Sequence, residues 1–206
     1  MRTDDALLMP VGHDLGVLFP EPGSDRHRQQ VRLGAEVIEL EDRDYAVWLL
    51  AHGTGGDNRP RLGSLAATAH ELGLDGIELT VKRFLNDGLL VAVEPGEAQA
   101  VEFAERHQLV PLMLGLGGTP ESPGMQRIGL LGQPVVEVSN ALYDVWAWTR
   151  LAPELWTGCQ DAATVAQHVG VTNPEEIDPH QVLAGVLQNV HALLCVRAAY
   201  FDRRVR

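Results

Sequence analysis

The chain has 206 residues, of which 45% are hydrophobic and 21% are charged, and its formal net charge is −12. This composition supports a packed core rather than a disordered chain, and the negative charge opposes binding to phosphate backbones or anionic membranes unless a local basic patch overcomes it. The two cysteines, Cys159 and Cys195, form no C-x-x-C pair, and no long apolar run lies near the N-terminus. A cytoplasmic protein with reduced thiols and no membrane partner is therefore expected.

One stretch of the chain occurs twice. GAEVIELEDRDYAVWLLAHG spans 34–53, and the weaker copy GQPVVEVSNALYDVWAWTRLA spans 132–152. An offset near half the chain length predicts two modules, in residues 1–94 and 109–206, joined by a helical linker over 95–108. The shared or similar positions lie 98 residues apart: Gly34 and Gly132, Ile38 and Val136, Glu39 and Glu137, Leu40 and Val138, Tyr45 and Tyr143, Val47 and Val145, Trp48 and Trp146.

The first module begins with residues 1–12, which are expected to form a short tail. Short apolar runs separated by Gly and Pro then predict a three-stranded antiparallel meander. Its strands are expected at 15–19, 29–33 and 36–40, with turns at 20–25 and at Gly34.

Three helices and a strand follow in the first module. Asp42 or Asp44 can cap the first helix, because an aspartate accepts hydrogen bonds from free first-turn amides. Glycines at 53–56 end that helix. The second helix is predicted over 62–72 and the third over 77–87, and a strand is expected at 89–93. The apolar face of the third helix consists of Ile77, Val81, Phe84 and Leu85.

The second module is expected to repeat this order. Strands are predicted at 109–116, 125–128 and 135–138, and helices at 141–151, 162–169 and 178–200, the last with Pro179 in its first turn. That last helix is apolar nearly all round, which indicates burial on more than one side. It is therefore expected to pack against the first module or, in a homodimer, against a second subunit.

No catalytic arrangement emerges from the motifs. The loop 52–56 resembles an oxyanion loop, but the chain lacks a G-x-S-x-G nucleophile turn. The glycines of 115–124 lack the spacing of a phosphate-binding loop, and the eight histidines are scattered singly without metal-ligand spacing. A non-enzymatic protein without a metal or cofactor is expected.

The order of three strands followed by three helices differs from most DNA-binding winged helices, whose wing hairpin follows the third helix. The motif G-x-E-V-I-E-L-E-D-x-x-Y-A-V-W-L-L-A-H-G, followed by L-A-A-T-A-H-E-L-G-L and R-F-L-N-D-G-L-L, resembles the winged-helix family typified by the peptide chaperone of pyrroloquinoline quinone biosynthesis. This family comprises the precursor-peptide recognition elements of ribosomally made, modified peptides. The resemblance implies an α+β fold of two tandem winged-helix modules, each a small antiparallel meander followed by three helices.

The resemblance also implies a binding mode. In that family a leader peptide adds as a strand to the third strand and lies against the third helix. The partner would be a peptide or protein segment, with a modifying enzyme as a second partner. In the second module the corresponding positions are Val135, Glu137, Val182 and Leu183. In the first module the residues expected to line the groove are Arg32, Val37 and Glu39 from the strands and Leu79, Lys82 and Arg83 from the third helix.

Two alternatives remain open at this stage. A DNA-binding regulator would use basic residues of the first module to contact the duplex. The second module contributes none over 151–196, a range without Lys or Arg. A dimeric scaffold would use neither surface. The candidate DNA-contacting residues are Arg26, Arg28, Arg32, Lys82 and Arg83.

Overall fold

A computed structural model describes residues 3–23, 26–55 and 59–204, so residues 1–2 of the expected tail and Ser24, Asp25 and Gly56 of two predicted turns lie outside the described residues. The α+β class predicted from the sequence is confirmed. The strands are β1 (Leu7–Pro10), β2 (His13–Leu18), β3 (Arg28–Leu33), β4 (Glu36–Leu40), β5 (Leu90–Val93), β6 (His107–Pro111), β7 (Leu114–Thr119), β8 (Ser122–Leu130), β9 (Gln133–Ser139) and β10 (Ala199–Arg203). The helices are α1 (Asp42–Leu50), α2 (Leu65–Glu71), α3 (Glu78–Asp87), α4 (Ala98–Arg106), α5 (Asn140–Trp148), α6 (Leu155–His168), α7 (Pro174–Ile177), α8 (Pro179–Asn189) and α9 (His191–Leu194).

The strands form small antiparallel sheets with the same arrangement in each half of the chain. The first half has a three-stranded sheet of order β2-β3-β4, and the second half has one of order β7-β8-β9. The strand before each meander pairs with the strand that ends the half, so β1 pairs with β5 and β6 pairs with β10. The repeat recognised in the sequence therefore extends to strands outside the shared motif.

The two meanders differ by one residue at their second hairpin. Val31 pairs with Ile38, and the equivalent Ile128 pairs with Val136. Val31 and its equivalent Ile128 are 97 residues apart (128 − 31), whereas Ile38 and its equivalent Val136 are 98 apart (136 − 38). The difference arises because the ladder of β8 and β9 contains an irregularity beside Ile128. Val31 and Ile128 are both fully buried, so the irregularity leaves the core register unchanged.

Apolar periodicity correctly predicts the buried face of α3, and the repeated Val and Trp positions are buried in α1 and α5. Val47 and Trp48 of α1 are each 1% exposed, and Val81 and Phe84 of α3 are 8% and 0% exposed. Trp146 of α5, the repeat equivalent of Trp48, is 3% exposed. The shared Val and Trp positions are therefore core positions in both halves.

The predicted capping of α1 by Asp42 or Asp44 is wrong. Glu41 occupies the N-cap position, and it makes no side-chain cap hydrogen bond. Both aspartates instead lie in the first helical turn, where their charge still suits the helix dipole. In the second half a side-chain cap is present, because Ser139 accepts a hydrogen bond from the Leu142 N–H at 3.3 Å.

The expectation of an N-terminal tail is wrong for residues 7–10. These residues form β1, whose four side chains are all buried. Continuous burial explains why the run Leu7-Leu8-Met9 lacks the polar alternation of a half-exposed strand. Pro10 suggests in the sequence that regular structure is interrupted, but it is accommodated as the last residue of the strand.

The long last helix predicted over 178–200 is also wrong. The helical chain consists of α8 and α9, ends at Leu194, and reverses at Arg197, whose φ is 56°. Residues 199–203 then form β10, because pairing with β6 satisfies their backbone groups. Leu183, Leu187 and Leu194 are buried within the chain itself. A homodimer through this helix is therefore not needed to cover its apolar face.

Two predictions between the modules need refinement. The expected linker helix exists as α4, but its buried Phe103 contacts Phe201 edge-on, with ring centroids 5.0 Å apart. It is therefore part of the packed core. The single strand predicted over 109–116 is replaced by β6 and β7, which belong to different sheets.

The two halves share one continuous hydrophobic core. The N–H of Gly12 donates to the carbonyl of Phe201 at 2.7 Å, and the His191 Nε2 lies 2.9 Å from the carbonyl oxygen of Leu8. Strand β10 thus reaches the first half directly. Residues 95–108 separate the two repeats in sequence. That the modules on either side of this boundary are separate domains remains a prediction.

Candidate functional site

Strand β4 has a free edge. It pairs with β3 on one side and with no other strand in the described chain. All five of its residues pair in continuous register, from Leu33 with Glu36 to Gln29 with Leu40. Leu33 and Glu36 flank a two-residue turn and so form a hydrogen-bonded pair, and alternation then directs the backbone N–H and C=O groups of Val37 and Glu39 away from β3.

The turn that carries β4 depends on glycine. Gly34 is the first of the two turn residues and has φ 61°, the left-handed conformation that a type II′ turn requires at this position. This turn geometry fixes which β4 residues present their backbone outward. A free edge with two outward-facing residues follows from it.

The equivalent edge in the second half is interrupted. Pro134 of β9 has no N–H to donate, and the register of β8 and β9 shifts beside Ile128. A proline and a bulge are the features by which natural sheets prevent pairing at an edge. Within the described residues, the β4 edge is therefore the better template for an added strand.

The side chains beside the β4 edge are apolar and acidic. Val37 is 52% exposed, and Glu36 and Glu39 are exposed without an ion pair inside the described ranges. The next acids along the chain are already paired: Glu41 with Arg28 at 3.0 Å and Asp42 with His27 at 2.9 Å. Uncompensated negative charge is thus concentrated at Glu36 and Glu39.

Helix α3 separates three of the residues predicted to line one groove. Leu79 is 82% exposed on the side opposite the buried Val81 and Phe84. Arg83 faces α1, because its guanidinium forms an ion pair with Asp44 at 2.5 Å. Lys82 lies on the other side of the helix, toward α2. Arg83 therefore faces α1, whereas Lys82 faces α2.

Lys82 lines a shallow apolar groove between α2 and α3. The groove has a volume of about 260 Å³, and apolar side chains form most of its wall. It lies beside α3 but on the flank away from Asp44. Its lining residues are Leu62, Leu65, Ala66, Ile77, Glu78, Val81, Lys82 and Leu85.

Arg32 is engaged within the chain. Its guanidinium lies 2.9 Å from the Asp202 carboxylate and donates to the Tyr200 hydroxyl at 2.7 Å. It also donates to the Gly34 carbonyl at 2.9 Å. With these contacts Arg32 joins β3 to β10 and is not available to an incoming ligand.

The basic residues of the DNA alternative do not form a free positive patch. Arg28, Arg32 and Arg83 each have a carboxylate partner at 2.5–3.0 Å, and Arg26 also interacts within the chain. Paired guanidinium groups contribute little net potential toward a phosphate backbone. Together with the net charge of −12, this pairing disfavours the DNA-binding hypothesis.

A second polar cluster lies where β2 meets the C-terminal region. Asp14 forms an ion pair with Arg197 at 2.5 Å and accepts a hydrogen bond from the Tyr45 hydroxyl at 2.7 Å. Sequence reasoning missed both Asp14 and Asp202. The repeated Tyr45 was the available signal for Asp14, whereas Asp202 follows a segment that the pattern assigned to a helix.

Burial is the main cause of the perturbed pKa values among the histidines and cysteines. Loss of hydration lowers the pKa of His52 to about 4 and lowers the pKa values of His107 and His191. Burial raises the pKa of the Cys159 thiol to about 12, so this thiol stays protonated and unreactive at neutral pH. Cys195 has a raised pKa for the same reason.

The described residues contain no group of three or more His, Cys, Asp or Glu side chains arranged to hold a metal ion. None of the helices described is both long enough and apolar enough to cross a membrane. The chain matches no protein-family model, no curated protein and no solved structure in comparisons with each.

Proposed function

We propose that this protein is a non-catalytic peptide-binding protein of the tandem winged-helix type, which captures an extended segment along the free edge of β4. The observation that carries the proposal is an uninterrupted, exposed edge strand whose Val37 and Glu39 direct their backbone groups outward. The resemblance of 34–53 to precursor-peptide recognition elements favours the leader of a precursor peptide as the segment, presented to a modifying enzyme.

The backbone supplies part of the affinity. Val37 and Glu39 together offer two N–H donors and two C=O acceptors, enough for four hydrogen bonds to an added strand. At about 0.5–1.5 kcal/mol each, these contribute roughly 2–6 kcal/mol. Micromolar binding needs about 8 kcal/mol after the entropic cost of association. Side-chain contacts are therefore required. The exposed Val37 provides apolar surface on β4 itself, and the exposed Leu79 of α3 is proposed as a second contact.

Charge defines the class of peptide. Glu36 and Glu39 are unpaired acids at the edge, within a protein of net charge −12. Val37 and Glu39 are two residues apart and lie on the same face of β4. A bound strand with an apolar and a basic side chain two positions apart, on that face, would place the apolar group near Val37 and the positive charge near Glu39. The partner is therefore proposed to be an extended, basic and apolar segment rather than an acidic one.

Substitution of Glu39 tests the proposal. A short random peptide library is selected against the full chain, and the best peptide is titrated while amide NMR shifts are recorded. Glu39→Pro removes an outward-facing N–H on an edge strand, where proline does not break a bond to β3. The matched Glu39→Gln variant removes only the charge. We expect Glu39→Pro to lose about tenfold or more in affinity and Glu39→Gln to lose less.

Two outcomes would contradict the proposal. Selected peptides that shift amides elsewhere but leave Val37 and Glu39 unchanged would remove its mechanism. Sequence-specific DNA binding that weakens steeply with salt and disappears in Lys82→Ala/Arg83→Ala would favour the regulator instead. A dimeric scaffold predicts neither peptide nor DNA binding.

A further inference from the structure

The turn that carries β4 is held by the last strand of the chain. The N–H of Gly34 donates to the Asp202 Oδ1 at 2.8 Å. The other carboxylate oxygen of Asp202 lies 2.9 Å from Arg32, which itself donates to the Gly34 carbonyl at 2.9 Å. One carboxylate of β10 therefore fixes both the N–H side and the C=O side of the turn residue.

The surroundings of this carboxylate make the contact strong. Asp202 is only 8% exposed, so its hydrogen bonds are poorly screened by water. Tyr200, two residues earlier on the same face of β10, accepts a hydrogen bond from Arg32 at 2.7 Å and packs edge-on against His13 with ring centroids 4.5 Å apart. Strand β10 thus contacts both β2 and β3 beside the turn.

The corresponding turn of the second half has no such support among the described residues. Leu130, the last residue of β8, is 56% exposed, and Leu131 of the turn is 88% exposed. A Cβ built on Gly132 meets no atom within 4 Å, whereas one on Gly34 approaches Arg203 of β10 at 3.7 Å. Of these two turns, the one that presents the β4 edge is packed against β10, and the other has no such contact within the described residues.

We infer that the second half of the protein acts as a brace, in which Asp202 is a positioning residue that holds the β3–β4 turn and so preorganises the β4 edge for peptide capture. This role rests on the proposed function for its purpose, but the brace itself is a property of the free protein. It gives the second module a role although that module's own edge strand is interrupted at Pro134. Preorganisation increases affinity because less ordering remains to occur on binding.

Amide hydrogen exchange in the full chain, without peptide, tests the brace. Asp202→Ala removes both contacts to the turn, whereas Asp202→Asn keeps an acceptor for the Gly34 N–H and loses the charge. We expect the Gly34 and Ile38 amides to exchange about tenfold to a hundredfold faster in Asp202→Ala and less so in Asp202→Asn, as loss of a charge-assisted hydrogen bond implies. The β5 amide of Val91 should be unchanged.

A matched control removes a different carboxylate next to the C-terminal strand. Glu154 pairs with Arg204 at 3.2 Å and is 8% exposed, yet it does not touch the turn. Glu154→Gln should leave Gly34 and Ile38 exchange unchanged. Equally faster exchange at Val91 in Asp202→Ala, or faster exchange at Gly34 and Ile38 in Glu154→Gln, would show general destabilisation and overturn the brace. Unchanged exchange at Gly34 and Ile38 in Asp202→Ala would also overturn it.

The peptide titration supplies the second readout. With the library-selected peptide, Asp202→Ala should bind about tenfold more weakly and Glu154→Gln as the parent chain does. If the exchange result holds but affinity does not change, the brace exists without serving peptide capture, and the positioning role is refuted. If no peptide binds the parent chain at all, the proposed function fails while the exchange result still decides the brace.

Discussion

The two repeated tryptophans provide a direct test of the packing, because they occupy the same position in each half but differ in hydrogen bonding. The indole N–H of Trp146 donates to the Ala198 carbonyl at 3.1 Å. The indole N–H of Trp48 is buried and has no hydrogen-bond partner among the described residues. Trp→Phe substitution removes the same atoms at both sites, so the loss of apolar contact is similar and largely cancels in the comparison.

The hydrogen-bond contribution then has opposite signs. Trp146→Phe removes one of two hydrogen bonds to the Ala198 carbonyl, which still accepts from the Leu112 N–H at 2.9 Å, at a cost of about 0.5–1.5 kcal/mol. Trp48→Phe instead removes an unsatisfied donor and recovers about 1–3 kcal/mol. We therefore expect Trp146→Phe to lower the free energy of unfolding by at least about 1.5 kcal/mol more than Trp48→Phe. Urea unfolding followed by far-UV circular dichroism measures both values.

Equal destabilisation by the two variants, or a larger effect at Trp48, would refute this reasoning. Equal effects would mean that the Trp48 N–H finds a partner, such as water, in solution. The slope of the free energy with urea must stay the same in both variants, because a changed slope would indicate a different unfolded state or loss of two-state behaviour.

Two further predictions concern pH and backbone strain. The pKa of His52 is near 4 in the folded chain and 6.5 in the unfolded chain, so the unfolded chain binds a proton first as the pH falls. The contribution of His52 to stability is therefore fully present above pH 6.5, and the free energy of unfolding falls by up to about 3 kcal/mol between pH 6.5 and 4. Denaturant titrations at several pH values should find a smaller fall in His52→Gln. Gly12→Ala should lower the thermal midpoint clearly more than Gly16→Ala: both glycines have positive φ, but a Cβ at Gly12 would lie 2.6 Å from a Val31 methyl group, whereas one at Gly16 meets nothing within 4 Å.

Local patterns in the sequence predicted the elements whose stabilising contacts are themselves local. Strand β4, helix α1 and helix α3 lie within one or two residues of their expected bounds, since alternation, helical spacing and glycine stops are all read within a short window. The buried faces of Trp48 and Phe84 follow from the same spacing.

Two elements that depend on distant partners, β1 and β10, were mispredicted. Strand β1 forms because it pairs with β5, about 80 residues later, and β10 forms because it pairs with β6. The apolar spacing up to residue 196 indicates a helix, and nothing local announces the reversal at Arg197. The engagement of Arg32 by Asp202 could not be predicted for the same reason, because its partner lies 170 residues away on a strand that the pattern did not reveal.

The internal repeat shows which positions the fold holds in common and where the two copies differ, although Val37 and Glu39 themselves recur as Val135 and Glu137. Positions that serve the fold are similar in both copies and buried in both, as with Leu40 and Val138, each 4% exposed. Glu36 and Pro134, by contrast, lie at the same offset of 98 residues but have opposite consequences for an edge strand. The fold tolerates either residue at this position, so the difference between the copies points to a requirement of the first copy alone. That requirement is the physical reason to look for function at the β4 edge rather than in the shared core.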